Sequence, residues 1–358
     1  MKPVLSFAAA LLALVGASSQ AQTSQGVSKN EIVLGSIQDL SGPIAGFGKQ
    51  VRQGMLLRVD ELNEQGGING RKIKLLIEDS AYDPKKAVLA AQKLVNQDKI
   101  FAMVAHIGTP TNNAAMPVQF EKNVINFFPV TAAREMTEPV HKLKFAGGSS
   151  YYDQMRVALP RLIKDKGAKK ICTIYQDDEF GLEVFRGAEA GLKAVGMDFT
   201  EKTTYKRGAT DFSSQVARMK AANCDLVVLG TIIRETIGTI AEGRKTGFNP
   251  AYLGSSATYT DLIHKLGKKA MDGLYATHTV QHPYMDEVSP KIAFWAKKYQ
   301  TKFGDDPTVF SVYGYSAIDT FIQAAQKAGP NLSTDSFIKA MESLTFPPDM
   351  FGSAELTF

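Results

Sequence analysis

Residues 31–37, Glu31-Ile32-Val33-Leu34-Gly35-Ser36-Ile37, form a short, nearly unbroken apolar run whose continuation along the chain decides the fold. A run of this length reads as a strand. Working outward, a segment of helical period lies near Gln50–Asn63, an apolar run spans Lys72–Glu78, a second helical segment spans Pro84–Asn96, and a third run spans Ile100–Ala105. Strand, helix, strand at this spacing implies parallel strands joined by right-handed crossovers, a doubly wound α/β sheet.

The pattern starts again after Phe145. A helix is expected near Asp153–Lys166, then strand Ile171–Tyr175, helix Glu183–Val195, strand Asp198–Tyr205, helix Phe212–Ala222, strand Leu226–Gly230 and helix Glu235–Thr246. The chain has 358 residues, and one core rarely grows past about 250–300, so the two series predict two lobes. No Pro/Ser-rich linker separates them. Short crossings at Ala146–Ser149 and Thr279–Pro283 are the candidate connections, with helices near Pro290–Phe303 and Tyr315–Gly329 returning the chain to the first lobe.

Composition narrows the function classes. The formal net charge is +5, from 41 basic and 36 acidic residues without a clustered basic face, so a nucleic-acid partner is not expected. Lys2, the apolar run Val4–Val15 and the small-residue ending Ser19-Gln20-Ala21 read as a secretory leader cleaved after Ala21. The alternative, a membrane anchor, needs roughly 20 apolar residues, more than this run supplies. With no Cys near the cleavage point to carry a lipid, the expected location is the periplasm. Cys172 and Cys224 each sit near the start of an apolar run, which leaves two readings, a disulfide in an oxidising compartment and two buried free thiols; the second is favoured. His278 and His282 flank a strand exit rather than one helix face, and no metal site or cofactor is expected.

Open α/β sheets bind ligands at the carboxyl ends of their strands. In the loop Gly35–Gly48 the glycines match neither phosphate-binding fingerprint, so a tight strand-to-helix turn is the favoured reading. After the third strand comes Ala105-His106-Ile107-Gly108-Thr109-Pro110-Thr111. Thr109 followed by Pro110 is expected to be a helix N-cap with proline at the first helical position, which would present free N–H groups and a positive helix end. That suits a carboxylate, although capping alone explains the same residues.

Leu40-Ser41-Gly42-Pro43, Asn63 with Gly66-Gly67-Ile68-Asn69-Gly70-Arg71-Lys72-Ile73, Glu78-Asp79 with Asp83-Pro84, and Lys93-Leu94-Val95 succeed one another in an order that resembles the Leu/Ile/Val-type periplasmic binding proteins of ABC importers. The resemblance runs from about Ile32 to the end of the chain. It implies a type I fold of two doubly wound parallel-sheet lobes joined by three hinge crossings, closing around a small carboxylate-bearing solute for delivery to membrane permease subunits, with no reaction and as a monomer. On that pattern residues 28–147 and 283–349 form lobe 1, residues 148–282 and 350–358 form lobe 2, and the family's last strands would come after Glu355-Leu356-Thr357-Phe358, leaving the last lobe edge incomplete.

Carried over motif by motif, the resemblance implies ligand contacts from Thr109, from Val130-Thr131-Ala132, from Tyr151 and Tyr152 after the first crossing, and from Phe180 as an aromatic wall; Tyr259 is a further candidate for a flat apolar wall by residue type alone. One departure matters most. At Leu253-Gly254-Ser255-Ser256-Ala257 the amino-acid binders place an acidic residue for the ligand ammonium, and Ser256 cannot do that work. A buried ammonium without a partner costs several kcal/mol, which turns the expectation toward a hydrophobic or aromatic carboxylate. Arg234 is a candidate carboxylate partner if it points inward, and otherwise pairs with Glu235 or Glu242. A branched-chain or other aliphatic amino acid is the alternative ligand, with Asp153 or Asp178 replacing the missing acid. No G-x-S-x-G elbow or H-E-x-x-H motif supports an enzyme.

Overall fold

The computed structural model describes residues 24–358, so the expected leader and its cleavage point lie outside the described residues. Strand β1 (Glu31–Gln38) is buried on both faces, which is why it reads as a continuous apolar run rather than an alternating one. It is followed by α1 (Ala45–Glu64), β2 (Lys72–Asp79), α2 (Pro84–Gln92), β3 (Ala102–Val104), α3 (Thr109–Glu121), β4 (Ile125–Phe127) and β5 (Lys144–Phe145). The strands pair in the order β2-β1-β3-β4-β5, all parallel. Local chemistry punctuates the chain: Asp83 caps α2 by accepting from the N–H groups of Lys85 and Lys86, with Pro84 at the first helical position.

The second lobe holds α4 (Tyr151–Lys166), β6 (Ile171–Gln176), α5 (Glu179–Ala194), β7 (Glu201–Tyr205), α6 (Ser213–Ala221), β8 (Leu226–Gly230), α7 (Ile233–Lys245), β9 (Ala251–Gly254), α8 (Asp261–Gly267) and β10 (Leu274–Ala276). Its parallel sheet runs β7-β6-β8-β9-β10, the same winding as the first lobe. The two-lobed doubly wound reading therefore holds. Strands β4, β5, β9 and β10 are additions to the elements expected from sequence, because two to four residues carry no readable period.

The chain then returns to the first lobe as α9 (Pro290–Phe303), α10 (Val309–Ala328) and α11 (Thr334–Ser343). Helix α10 packs so closely on α1 that a Cβ at Gly54 or Gly314 would overlap the carbonyl oxygen of Ser311 or Val51. Residues 350–358, expected with the second lobe, instead lie on the first. Phe358 packs edge-on against Phe128 and Phe145, Phe351 packs against Trp295 and Tyr315, and Leu356 bridges to Phe346. Aromatic burial on the first lobe holds the tail there.

The free-thiol reading is also corrected. Cys172 on β6 and Cys224 just before β8 form a disulfide, their Cα atoms 5.9 Å apart. Strands β6 and β8 are direct neighbours, and that adjacency brings the two thiols within bridging reach. Burial, which the two states share, could not separate them.

Candidate functional site: the cleft between the lobes

In each sheet the winding reverses beside the first strand, between β1 and β3 in one lobe and between β6 and β8 in the other. Ligands in such folds bind outside the strand ends at that switch point. The loops and helix starts that follow these four strands contribute Ile44 and Phe47, Ile107 to Thr109, Phe180 and Ile232, and all of them line one cavity of about 340 Å³ between the lobes. That volume is at the lower end of the roughly 300–1,000 Å³ usual for small-molecule sites.

The turn after β1 is built by a carboxylate. Asp39 accepts hydrogen bonds from the N–H groups of Ser41, Gly42 and Ile44, and Asp79 accepts from Leu40 N–H at 2.9 Å and from the Ser41 hydroxyl at 2.6 Å. With its acceptors facing those N–H groups, this loop is a tight turn and not a phosphate cradle. Burial raises the Asp39 carboxyl above its usual range, against the opposing pull of the backbone donors.

Thr109 has a different job from the one expected. Gly108, with φ +93°, occupies the N-cap position, and Thr109 is the first residue of α3. Its hydroxyl is therefore free of the capping role and bonds the Thr131 hydroxyl at 2.6 Å. Tyr151 N–H donates to the Ala132 carbonyl at 2.7 Å, and the Tyr151 ring packs edge-on against Phe180 with centroids 5.3 Å apart. Burial pushes the Tyr151 phenol above its usual range, so it stays a neutral donor. The first-turn N–H groups of a helix have no carbonyl partner within it, and the helix dipole adds partial positive charge there. Together these groups can bind a carboxylate without a cationic side chain.

Thr109, Val130, Thr131, Ala132, Tyr151, Phe180 and Ser256 all come together on this cavity. Ser256 N–H is held by Gln154 Oε1 at 2.9 Å, leaving its side chain to the cleft. Three candidates do not join them. The Arg234 side chain is 42% exposed, lies outside the lining and pairs with Glu235 Oε1 at 3.1 Å. A helix-start arginine finds its nearest carboxylate one residue away, and that local pair wins. Tyr152 lies under the Arg134 guanidinium, 3.9 Å from ring centroid to Cζ, again outside the lining. Tyr259 packs on His278 rather than lining the cleft.

Sequence reasoning missed Phe47, Tyr82, Phe128, Phe310 and Tyr313. Phe47 and Phe310 stack with centroids 3.6 Å apart. Position after β1 at the switch point could have found Phe47; the other four carry no signal that separates them from core aromatics. Tyr313 bonds the Thr279 hydroxyl at 3.0 Å, and burial pushes its phenol up to about 12.

Among the described residues lining the cavity none is Asp, Glu, Lys or Arg. The acids that could replace a partner at Ser256 are spoken for. Asp153 is bonded to Ser150 at 2.8 Å and paired with Arg156 at 3.0 Å, while Asp178 caps α5 and takes Gln176 at 2.6 Å and Arg207 at 2.8 Å. No cluster of three or more His, Cys, Asp or Glu able to hold a metal occurs among the described residues.

The lobes are closed on each other by polar contacts. Arg134 of the first lobe forms a forked pair with Glu183 on α5, at 2.6 and 3.2 Å, and the Glu183 side chain is 1% exposed. Arg207 of the second lobe donates to the Tyr82 carbonyl at 3.4 Å and lies over the Tyr82 ring, while Gln176 reaches the Tyr82 hydroxyl at 3.5 Å.

Two parallel-sheet lobes shut around a buried cavity define a ligand-binding protein that works by closure. The chain belongs to the periplasmic binding protein family, whose model matches residues 31–357. A Pseudomonas aeruginosa amino acid binding protein is 27% identical over 84% of this chain and 80% of its own length. The leucine-, isoleucine-, valine-, threonine- and alanine-binding protein of the same organism is 24% identical over 86% of this chain and 81% of its own. Among solved structures, a fatty acid ABC transporter substrate-binding protein from Thermomonospora curvata superposes with a TM-score of 0.86 at 25% identity, covering 94% of this chain and 86% of that one. The protein is thus a periplasmic solute-binding protein of the kind that serves ABC transporters. These relatives are named as binding proteins, not enzymes.

Proposed function

We propose that this protein captures a small hydrophobic or aromatic carboxylate that lacks an α-amino group, and hands it as a monomer to ABC permease subunits at the inner membrane. The observation that carries the reading is the cavity lining, which offers hydroxyls, a helix N-terminus and aromatic walls but no carboxylate. An α-amino acid would bury its ammonium there without a counter-charge, at a cost of several kcal/mol. A carboxylate alone meets the α3 N-terminus and the Thr109, Thr131 and Tyr151 donors. Export through the leader at residues 1–21 would deliver the chain to the compartment where such capture occurs. The Thermomonospora relative, by its name a fatty acid binder, supports the same class.

A second reading, with a branched-chain or other aliphatic amino acid as ligand, is favoured by the names of the Pseudomonas relatives. Matched pairs separate the two: leucine against 4-methylpentanoate, and phenylalanine against 3-phenylpropanoate, by thermal shift and calorimetry on the mature protein. Binding of the amine-free acids with loss on adding the amino group is the expected result, since a ligand of the folded state raises the melting temperature. Preference for leucine or phenylalanine would overturn the reading in favour of the second.

A further inference from the structure

Most hydroxyls on the cavity lining are already engaged: Thr109 with Thr131 at 2.6 Å, Thr279 with Tyr313 at 3.0 Å, Ser316 with Asp349 Oδ2 at 3.0 Å, and Ser353 Oγ with Asp349 N–H at 3.0 Å. The Tyr82 hydroxyl takes Gln176 at 3.5 Å, and the Tyr151 phenol faces the Thr131 hydroxyl. Ser149 and His278 are exposed, where water serves them. Ser256 is different. It is 8% exposed, it lines the cavity, and its hydroxyl has no hydrogen-bond partner among the described residues.

Only the side chain is left over. Ser256 opens the short turn Ser256–Thr258 after β9, where its N–H donates to Gln154 Oε1 at 2.9 Å and its carbonyl accepts from Tyr259 N–H at 3.2 Å. The same Gln154 oxygen accepts from the Thr277 hydroxyl at 2.7 Å, and its amide donates to the Ser149 carbonyl at 2.7 Å. One buried amide on α4 thus ties the turn after β9 to the exit of β10 and to the first crossing, and holds the Ser256 backbone in place. A hydroxyl taken out of water and left unpaired carries a desolvation cost that an oxygen on the solute would remove.

We propose that the solute carries, besides its carboxylate, a neutral oxygen, hydroxyl or carbonyl, and that Ser256 is the specificity-determining residue that hydrogen-bonds it from the second lobe. This rests on the carboxylate reading above and narrows it from plain hydrocarbon acids to hydroxy and oxo acids. Serine suits both, since its hydroxyl donates to a carbonyl and either donates to or accepts from a hydroxyl. An analogue without the oxygen is disfavoured because it leaves the Ser256 hydroxyl unpaired in the closed cleft.

The test is isothermal titration of the mature, oxidised protein, wild type and Ser256→Ala, with 3-phenylpropanoate, both enantiomers of 2-hydroxy-3-phenylpropanoate, 2-oxo-3-phenylpropanoate, 3-(4-hydroxyphenyl)propanoate and phenylalanine. At least one oxygen-bearing acid is expected to bind the wild type tighter than 3-phenylpropanoate by about 2- to 12-fold, the worth of a neutral hydrogen bond. In Ser256→Ala that advantage should vanish while 3-phenylpropanoate binds as well as before or better, a reversal that general damage to the fold would not produce. Which acid gains tells a hydroxyl from a carbonyl and a position beside the carboxylate from one on the ring. If 3-phenylpropanoate binds the wild type as tightly as every oxygen-bearing acid, or if the advantage survives in Ser256→Ala, the role of Ser256 is overturned and the carboxylate reading stands. Preference for phenylalanine over all the acids overturns both.

Discussion

At the scale of single residues, His106 makes stability sensitive to pH although it is buried from water. Its carbonyl is used by Val130 N–H and the Asn112 amide, both at 2.8 Å, but neither ring nitrogen finds a partner among the described residues. Burial lowers its pKa from 6.5 to about 3. The folded state therefore refuses a proton that the unfolded chain accepts, and stability is lost as pH falls from about 6.5 toward 3. Above that window the imidazole is neutral in both states and contributes nothing to the slope. We expect His106→Gln to flatten the melting-temperature profile between pH 6.5 and pH 4; an unchanged slope would show that other groups set it. The Thr131 hydroxyl carries a second expectation. Thr131→Val keeps shape and removes one donor, and should weaken carboxylate binding by about 10- to 150-fold, the worth of a hydrogen bond to a charged group. A fall in melting temperature with unchanged affinity would make the Thr109–Thr131 pair purely structural. Thr109 itself was legible from its place after a strand and before Pro110, and Thr131 through the family resemblance, whereas the hydrogen bond between them, across 22 residues of sequence, was not.

At the scale of elements, the disulfide ties β6 to the start of β8 across a separation of 52 residues. Loop-closure entropy for a ring of that size gives about 4 kcal/mol of stabilisation as an upper value. Replacing Cys172 and Cys224 by Ala should lower the melting temperature of the second lobe, and a transition that separates from that of the first lobe in calorimetry would locate the loss; coincident transitions at the original temperature would contradict it. The same two strands explain what sequence could and could not reveal. Strands β1, β6 and β8 are covered on both faces, so their apolar runs stand out; β5 and β10 sit at sheet edges with two and three residues and do not. Helices α4, α5 and α7 were legible from period. That the strands they connect run parallel followed from the strand–helix–strand spacing, but strand adjacency, and with it the pairing of the cysteines, needed three dimensions. The site divides along the same line. Loop residues after strands were nameable, while Phe310 and Tyr313 come from a helix whose apolar face is continuous with the core.

At the scale of the whole molecule, closure depends on an ion pair that exists only when the lobes meet. Glu183 is buried by that contact, and without Arg134 the closed form would hold an uncompensated carboxylate, a penalty of a few kcal/mol that opening relieves. Arg134→Ala should therefore move the population toward the open form and weaken ligand binding by tenfold or more, with an increased radius of gyration by X-ray scattering at sub-saturating ligand. The melting temperature without ligand should change little, because each lobe keeps its own core; equal affinity in variant and wild type would remove the pair from the closure mechanism. Tyr152, whose ring lies beneath the same guanidinium, belongs to this clasp and not to the solute. One consequence concerns the medium outside the cell. The pocket lining holds no Asp, Glu, Lys or Arg, but the clasp is ionic and the Arg134 side chain remains 30% exposed to solvent. Dissolved salt, which screens such partly exposed charges within about 10 Å at 0.1 M, acts on the hinge equilibrium and not on the solute's own contacts. Capture would then loosen as the surroundings grow saltier, making uptake answer to salinity through a residue that never touches the cargo.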